Sequence, residues 1–173
     1  MCLMTNLKGR LLMEQANRYL FLQQLRQGHE VDTSYRAAFY LLSSTSEVFE
    51  IAKDCVNHEG IDFKGMKRLA EYSSEMLKKV VDIAHNLFSW NSKCSVTPTD
   101  MANLEYPYME KFCEALYIAG EQCKVLTPQD EHGNPEIKLD YTPYRNTVQT
   151  HKYFDSLAQS MVENHHDADV LDR

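Results

Sequence analysis

Asp82 and His85 are three residues apart. That is one helical turn, and an Asp-x-x-His pair on a shared face can ligate a metal ion or orient an imidazole as a base. A metal site would need two more ligands from other helices, as in di-iron bundles. No second pair of this kind occurs: His29-Glu30 and His58-Glu59 are adjacent and diverge on a helix. His165-His166-Asp167 offers adventitious chelation near the C-terminus. No G-x-S-x-G, H-E-x-x-H or glycine-rich phosphate loop is present. Cys94 and Cys123 become nucleophiles only where folding brings a base to them. The sequence therefore predicts no catalytic residue, no bound metal and no cofactor. The five cysteines, at 2, 55, 94, 113 and 123, are odd in number and widely spaced, without a C-x-x-C pair. They read as reduced thiols, with Cys55 and Cys113 on apolar helix faces.

Charge is a stronger signal than any motif. Residues 1–100 balance at 12 acidic and 12 basic side chains, whereas residues 101–173 hold 13 acidic and 6 basic, the whole of the net charge of −7. Direct nucleic-acid binding by the acidic half is disfavoured, because Lys and Arg carry most affinity for phosphate. An acidic surface of this kind keeps a protein soluble or meets a basic protein partner. Asp130, Glu131, Glu136 and Asp140 fall in or beside one turn-rich segment and are the candidate contact residues. The alternative contact is the apolar N-terminal helix around Tyr19 and Phe21. Trp90, beside Asn91 at a helix end, has two readings: a side chain that closes the core, with Asn91 as cap, or an exposed anchor for another protein.

Positioning these residues falls to helices. Six glycines and five prolines in 173 residues are too few for an all-β chain. Apolar residues from Met66 to Trp90 recur at steps of three and four, which predicts one central helix of roughly 36 Å, with Asp62 as its cap. A first helix is expected over 5–27, with Leu7, Leu11, Leu12, Leu20, Leu22 and Leu25 among its apolar positions. A second follows Asp32 or Thr33 and buries Ala37, Tyr40 and Leu41. Ser44 and Glu47 form a capping-box pattern, so a third helix should run from Thr45 to about His58. Thr97-Pro98-Thr99-Asp100 opens a short fifth helix. Pro107 opens a sixth, reaching Lys124 with Met109, Phe112, Cys113, Leu116 and Tyr117 as its stripe. Residues 124–142 read as a small β-hairpin or flap around His132-Gly133-Asn134-Pro135. A last helix runs from Thr142-Pro143 to about Asn164, with Val148, Phe154, Leu157, Ala158 and Met161 apolar. Residues 164–173 then form a frayed acidic tail.

At YRAAFYLLS, AHNLFSWNS and TPTDMANLEYPYMEKFCEALYI the chain resembles a small bacterial family of uncharacterised helical proteins, often carried on mobile elements. The resemblance spans about residues 35–118. It implies an aromatic-rich helix, a helix ending in Ala-x-Asn-Leu-aromatic, and a Thr-Pro-led helix pair, and it implies no activity.

The expectation is an all-α domain over residues 1–163, of six or seven helices, with a small hairpin near 124–142. The expected function is non-enzymatic protein binding. A phage or mobile-element inhibitor of a host defence nuclease, acting through its acidic half on a basic groove, fits the size and charge. The alternatives are an enzyme whose site is assembled from distant helices around Asp82 and His85, and a toxin–antitoxin or regulatory component. No run of the sequence is long and apolar enough to span a membrane. The first ten residues lack the apolar core of an export signal, which makes the cytoplasm the expected location.

Overall fold

The computed structural model describes the backbone of residues 15–171 and the side chains of residues 15–160. The expected helix start at residue 5, with Leu7, Leu11, Leu12 and Cys2, lies outside the described residues. So do the side chains of Met161 and of the His165-His166-Asp167 run. The described residues form an all-α fold with one two-stranded antiparallel sheet.

Helix α1 covers residues 15–25 and buries Ala16, Tyr19 and Leu22 along one side. Gly28, at φ +90°, turns the chain after it in a conformation that a side chain would strain. Helix α2 spans Thr33–Leu42 and begins at the expected cap, where Asp32 Oδ1 accepts from Tyr35 N–H at 3.0 Å. The sequence suggests one buried side. Instead, all six residues from Ala37 to Leu42 are buried, because α2 packs against both α5 and α7.

Helix α3 covers Ser46–Ala52. Its cap is Thr45, whose hydroxyl accepts from Val48 N–H at 3.3 Å, and it stops six residues short of the expected His58. The polypeptide there closes a loop instead. Val56 and Ile61 form an isolated bridge, Asp62 N–H donates to Cys55 O at 2.8 Å, and Asn57 Oδ1 accepts from Glu59 and Gly60 N–H. An asparagine that satisfies nearby backbone donors competes with helix propagation.

The central helix expected from Met66 to Trp90 is two helices, α4 (Phe63–Ala70) and α5 (Glu75–Phe88). Asp62 caps the first as expected, accepting from Gly65 N–H at 2.8 Å. The break falls at Ser74, which is extended (φ −62°, ψ 152°) and accepts from Leu77 N–H at 3.3 Å. Serine takes up this N-cap geometry readily, and Glu75 follows it in the first turn, where a negative charge is favoured. Met66, Ala70, Leu77, Val80, Val81 and Ala84 still face the core, but Leu69 does not. Trp90 does not close the core either: it is 89% exposed. Nor does Asn91 cap α5: the cap is Ser89, whose hydroxyl donates to Asn91 Oδ1 at 2.7 Å.

Helix α6 (Pro98–Ala102) carries the full Thr97–Asp100 capping box. Helix α7 spans Tyr108–Ala119 and ends at Gly120, before the expected Lys124. Its buried face is Tyr108, Lys111, Phe112, Ala115 and Ile118. The expected stripe is therefore rotated: Phe112 is buried, Cys113 is half-buried, and Met109, Leu116 and Tyr117 face outward. The hairpin expected near 124–142 is present. Strands β1 (Lys124–Leu126) and β2 (Lys138–Asp140) pair antiparallel, Val125 opposite Leu139, and Ile137 just before β2 reaches the core. Helix α8, Thr142–Leu171, continues past the expected end near Asn164.

Two substitutions separate the broken helix from a continuous one. Leu77 is 8% exposed and Leu69 is 51% exposed. Leu77→Asp places an uncompensated charge among apolar neighbours and should remove on the order of 3 kcal/mol or more, while Leu69→Asp should stay within about 0.5 kcal/mol of the parent. Chemical denaturation of both variants measures this. Equal destabilisation would mean that the two residues share one buried face.

Candidate functional site

A groove of about 1020 Å³ opens along α4 and α5 and contains the Asp82–His85 pair. Phe63 from the start of α4 lies under the His85 ring, centroids 4.5 Å apart and 24° from parallel. Asp82 accepts from Lys67 Nζ across the groove and from Ser95 N–H and Oγ at 2.6 and 2.8 Å. Burial disfavours its charged form, but the hydrogen bonds from Lys67 and Ser95 outweigh burial and hold the carboxyl below its ordinary range. Burial first, then the Lys67 ammonium, lowers the pKa of His85 against the smaller opposing pull of Asp82, which favours the neutral imidazole. Its Nδ1 is buried with no partner among the described residues. Asp82 is thus committed to Lys67 and Ser95 and does not orient His85, so the pair does not form the oriented base that the spacing allows. Among the described residues no three His, Cys, Asp or Glu side chains converge as a metal site. Burial pushes the Cys94 thiol up and the Cys123 thiol to about 11, so neither is a thiolate at neutral pH.

The four acids singled out in the sequence hold the hairpin together to different degrees. Asp130 Oδ1 accepts from His132 and Asn134 N–H, both at 2.8 Å, in a turn completed by Gly133 at φ +81°. The hydrogen bonds from Asn134 and His132 keep its carboxyl below the ordinary value. Glu136 pairs with Lys138 at 3.1 Å. Asp140 accepts from Thr142 N–H at 2.9 Å and lies 3.7 Å from Arg145, so it joins β2 to the start of α8. Glu131 is exposed at the tip. Of the aromatic candidates, Tyr19 is a core residue and not a surface contact, and its burial raises the phenol to about 12. Phe21 reaches the surface and packs edge-on against Phe49, centroids 5.6 Å apart.

A third arrangement escapes sequence reading. Lys111 of α7 is 7% exposed, and its ammonium donates to Tyr40 Oη at 3.0 Å and Glu114 Oε2 at 2.8 Å. Tyr40 Oη also donates to Glu114 Oε2 at 2.5 Å. Burial, then the Glu114 charge and hydrogen bond, raises the Tyr40 pKa far above its ordinary value and keeps the phenol neutral. The trio borders a cavity of about 260 Å³ beneath the hairpin. The one signal in the sequence is a lysine at a core-facing step of α7, between Tyr108 and Ala115.

Beyond its first turns, helix α8 stands apart from all of this. Every residue from 149 to 160 is exposed, including Tyr153, Phe154 and Leu157. Among the described residues no helix is long and apolar enough to cross a membrane. No family model, curated protein or solved structure matches the chain.

Two outcomes follow from these contacts. The unfolded chain protonates His85 near its ordinary value of 6.5, and the folded chain does so only at lower pH. Between these points the unfolded state binds more protons, so stability falls as pH falls below 6.5, and this loss should be absent from His85→Gln. The Asp82 contribution is present above its ordinary value of 3.8 and is lost only at more acidic pH, which separates the two windows. Melting temperatures of both proteins between pH 7.5 and 5 provide the measurement; parallel curves would contradict a neutral His85. Lys111→Met strands Glu114 beside Tyr40 and should cost about 3 kcal/mol, while Lys111→Met with Glu114→Leu should recover most of it. A double variant as unstable as the single one would mean that the pair's charges are not coupled.

Proposed function

We propose that this chain is a non-enzymatic protein-binding module that makes its contact through α8 and the acidic hairpin at its base. The observation that carries this reading is the exposure of Tyr153, Phe154 and Leu157 on a helix whose residues 149–160 touch water on every side. Exposed aromatic residues on one element suit the centre of an interface, where large side chains contribute most of the binding energy. The partner's charge follows from the acidic excess of residues 101–173, the whole of the net −7. A nucleic-acid-handling protein with a basic groove meets that description, as in a mobile-element inhibitor of a host defence nuclease. The rival enzyme reading draws less support, since Asp82 is engaged by Lys67 and Ser95 and His85 is stacked on Phe63.

The test is affinity capture from host lysate followed by association kinetics with the captured protein. The parent should hold one stoichiometric partner, and Phe154→Asp with Leu157→Asp should lose it without loss of helical content. Glu131→Lys with Glu136→Lys should slow association about tenfold at low salt, and that gap should close at high salt, because rim charges act on encounter. Capture of no stoichiometric partner, or a partner held equally well by the α8 variant, would refute the reading.

A further inference from the structure

We propose that the cavity beneath the hairpin binds a small uncharged lactam or carboxamide by its amide edge. The cavity, about 260 Å³, lies among α2, α7 and the residues leading through β2. That volume is roughly nine water molecules' worth of liquid, enough for a single substituted ring. Its walls divide by chemistry. Pro107, Ile137, Leu139 and Tyr141 supply apolar and aromatic surface, Ser44, Lys111 and Glu114 supply buried or half-buried polar groups, and the solvent-exposed Glu110 adds a carboxylate.

Ser44 carries the argument. It is 3% exposed, it lines the cavity, and its Oγ has no hydrogen-bond partner among the described residues. A buried hydroxyl without a partner costs free energy that a ligand acceptor restores. Lys111 makes two hydrogen bonds, to Tyr40 and Glu114, and an ammonium has three protons to give. Glu114 takes both of its bonds on Oε2, so Oε1 keeps acceptor capacity. Donors and an acceptor therefore border the same space; the Lys111 and Glu114 charges cancel, and the charge of Glu110 is exposed to solvent, where it is screened. A ligand carboxylate would meet Glu114 without compensation, and a ligand amine would meet Lys111. An amide edge carries a carbonyl acceptor and an N–H donor side by side with no net charge. It matches the ammonium–carboxylate pair and Ser44 together, with the ring against the apolar wall.

The experiment titrates the full-length, isotope-labelled protein with 2-pyridone, a ring lactam, and follows backbone amide resonances. Benzoate and benzylamine, of similar size and opposite charge, are run in parallel. Saturable shifts at Ser44, Lys111 and Leu139 are expected with 2-pyridone, and at least about tenfold weaker binding with the two charged compounds. Ser44→Ala should keep or raise the melting temperature, since it removes an unsatisfied hydroxyl, yet weaken 2-pyridone by about three- to tenfold. The proposal is overturned if 2-pyridone gives no saturable shift, if either charged compound binds as tightly, or if Ser44→Ala binds 2-pyridone like the parent.

Discussion

The structure depends on a helix whose last six residues have no solvent face. From Ala37 to Leu42 every residue of α2 is buried, with α5 on one side and α7 on another. Ala37 and Ala38 let neighbouring backbones approach closely, and Phe39, Leu41 and Leu42 fill the space around them. Such burial is favourable only if each polar group is matched. The Tyr40 hydroxyl is matched by Lys111 and Glu114. The carbonyls at the end of α2, which no turn of helix can satisfy, are matched from α1 and from Ser43 itself. Gln15 Nε2 and Ser43 Oγ donate to Tyr40 O at 3.1 and 3.0 Å, and Arg18 Nε donates to Ser43 O at 2.8 Å. The position of α1 is thus set by the needs of α2 as much as by its own apolar side.

A different logic holds the periphery. Helix α6 has no buried residue of its own. It is fixed by Asp100, which completes the capping box through Thr97 and accepts from Lys79 of α5 at 2.8 Å. Lys67 and Asp82 join α4 to α5 in the same way, and Ser95 ties the following connector to Asp82. The large groove is therefore walled by paired charges on a floor of stacked rings. Asp82 and Asp100 there act as structural ties between elements.

Local signals in the sequence were legible. Asp32, Asp62 and Thr97 each accept a nearby backbone N–H, and that requirement involves only residues three positions apart. The hairpin was legible for the same reason, its turn residues being adjacent. The break at Ser74 was not, because Ala70 and Leu77 are seven residues apart, the separation of two full turns, so the apolar period stays in register across it. The face of α7 was misjudged because a charged Lys111 does not register as core, while Met109 and Leu116 do. Its buried ammonium is tolerable because Glu114, one turn on, and Tyr40, 71 positions away, both accept from it, and the longer contact leaves no local mark. Of the two readings of Trp90, core closure fails: apolar character alone does not bring a side chain inside when the helix has already ended before it.

The isolation of α8 has a consequence for how the molecule opens to solvent. Over residues 149–160 the backbone hydrogen bonds lie within the helix, and no neighbouring element shields those positions. Isotope exchange of these amide protons is governed by the winding and unwinding of the helix alone, on a scale far below that of global unfolding. The amides of Ala37 to Leu42, enclosed by α5 and α7, are expected to exchange only when the core separates. One chain thus contains two clocks for the same chemical event.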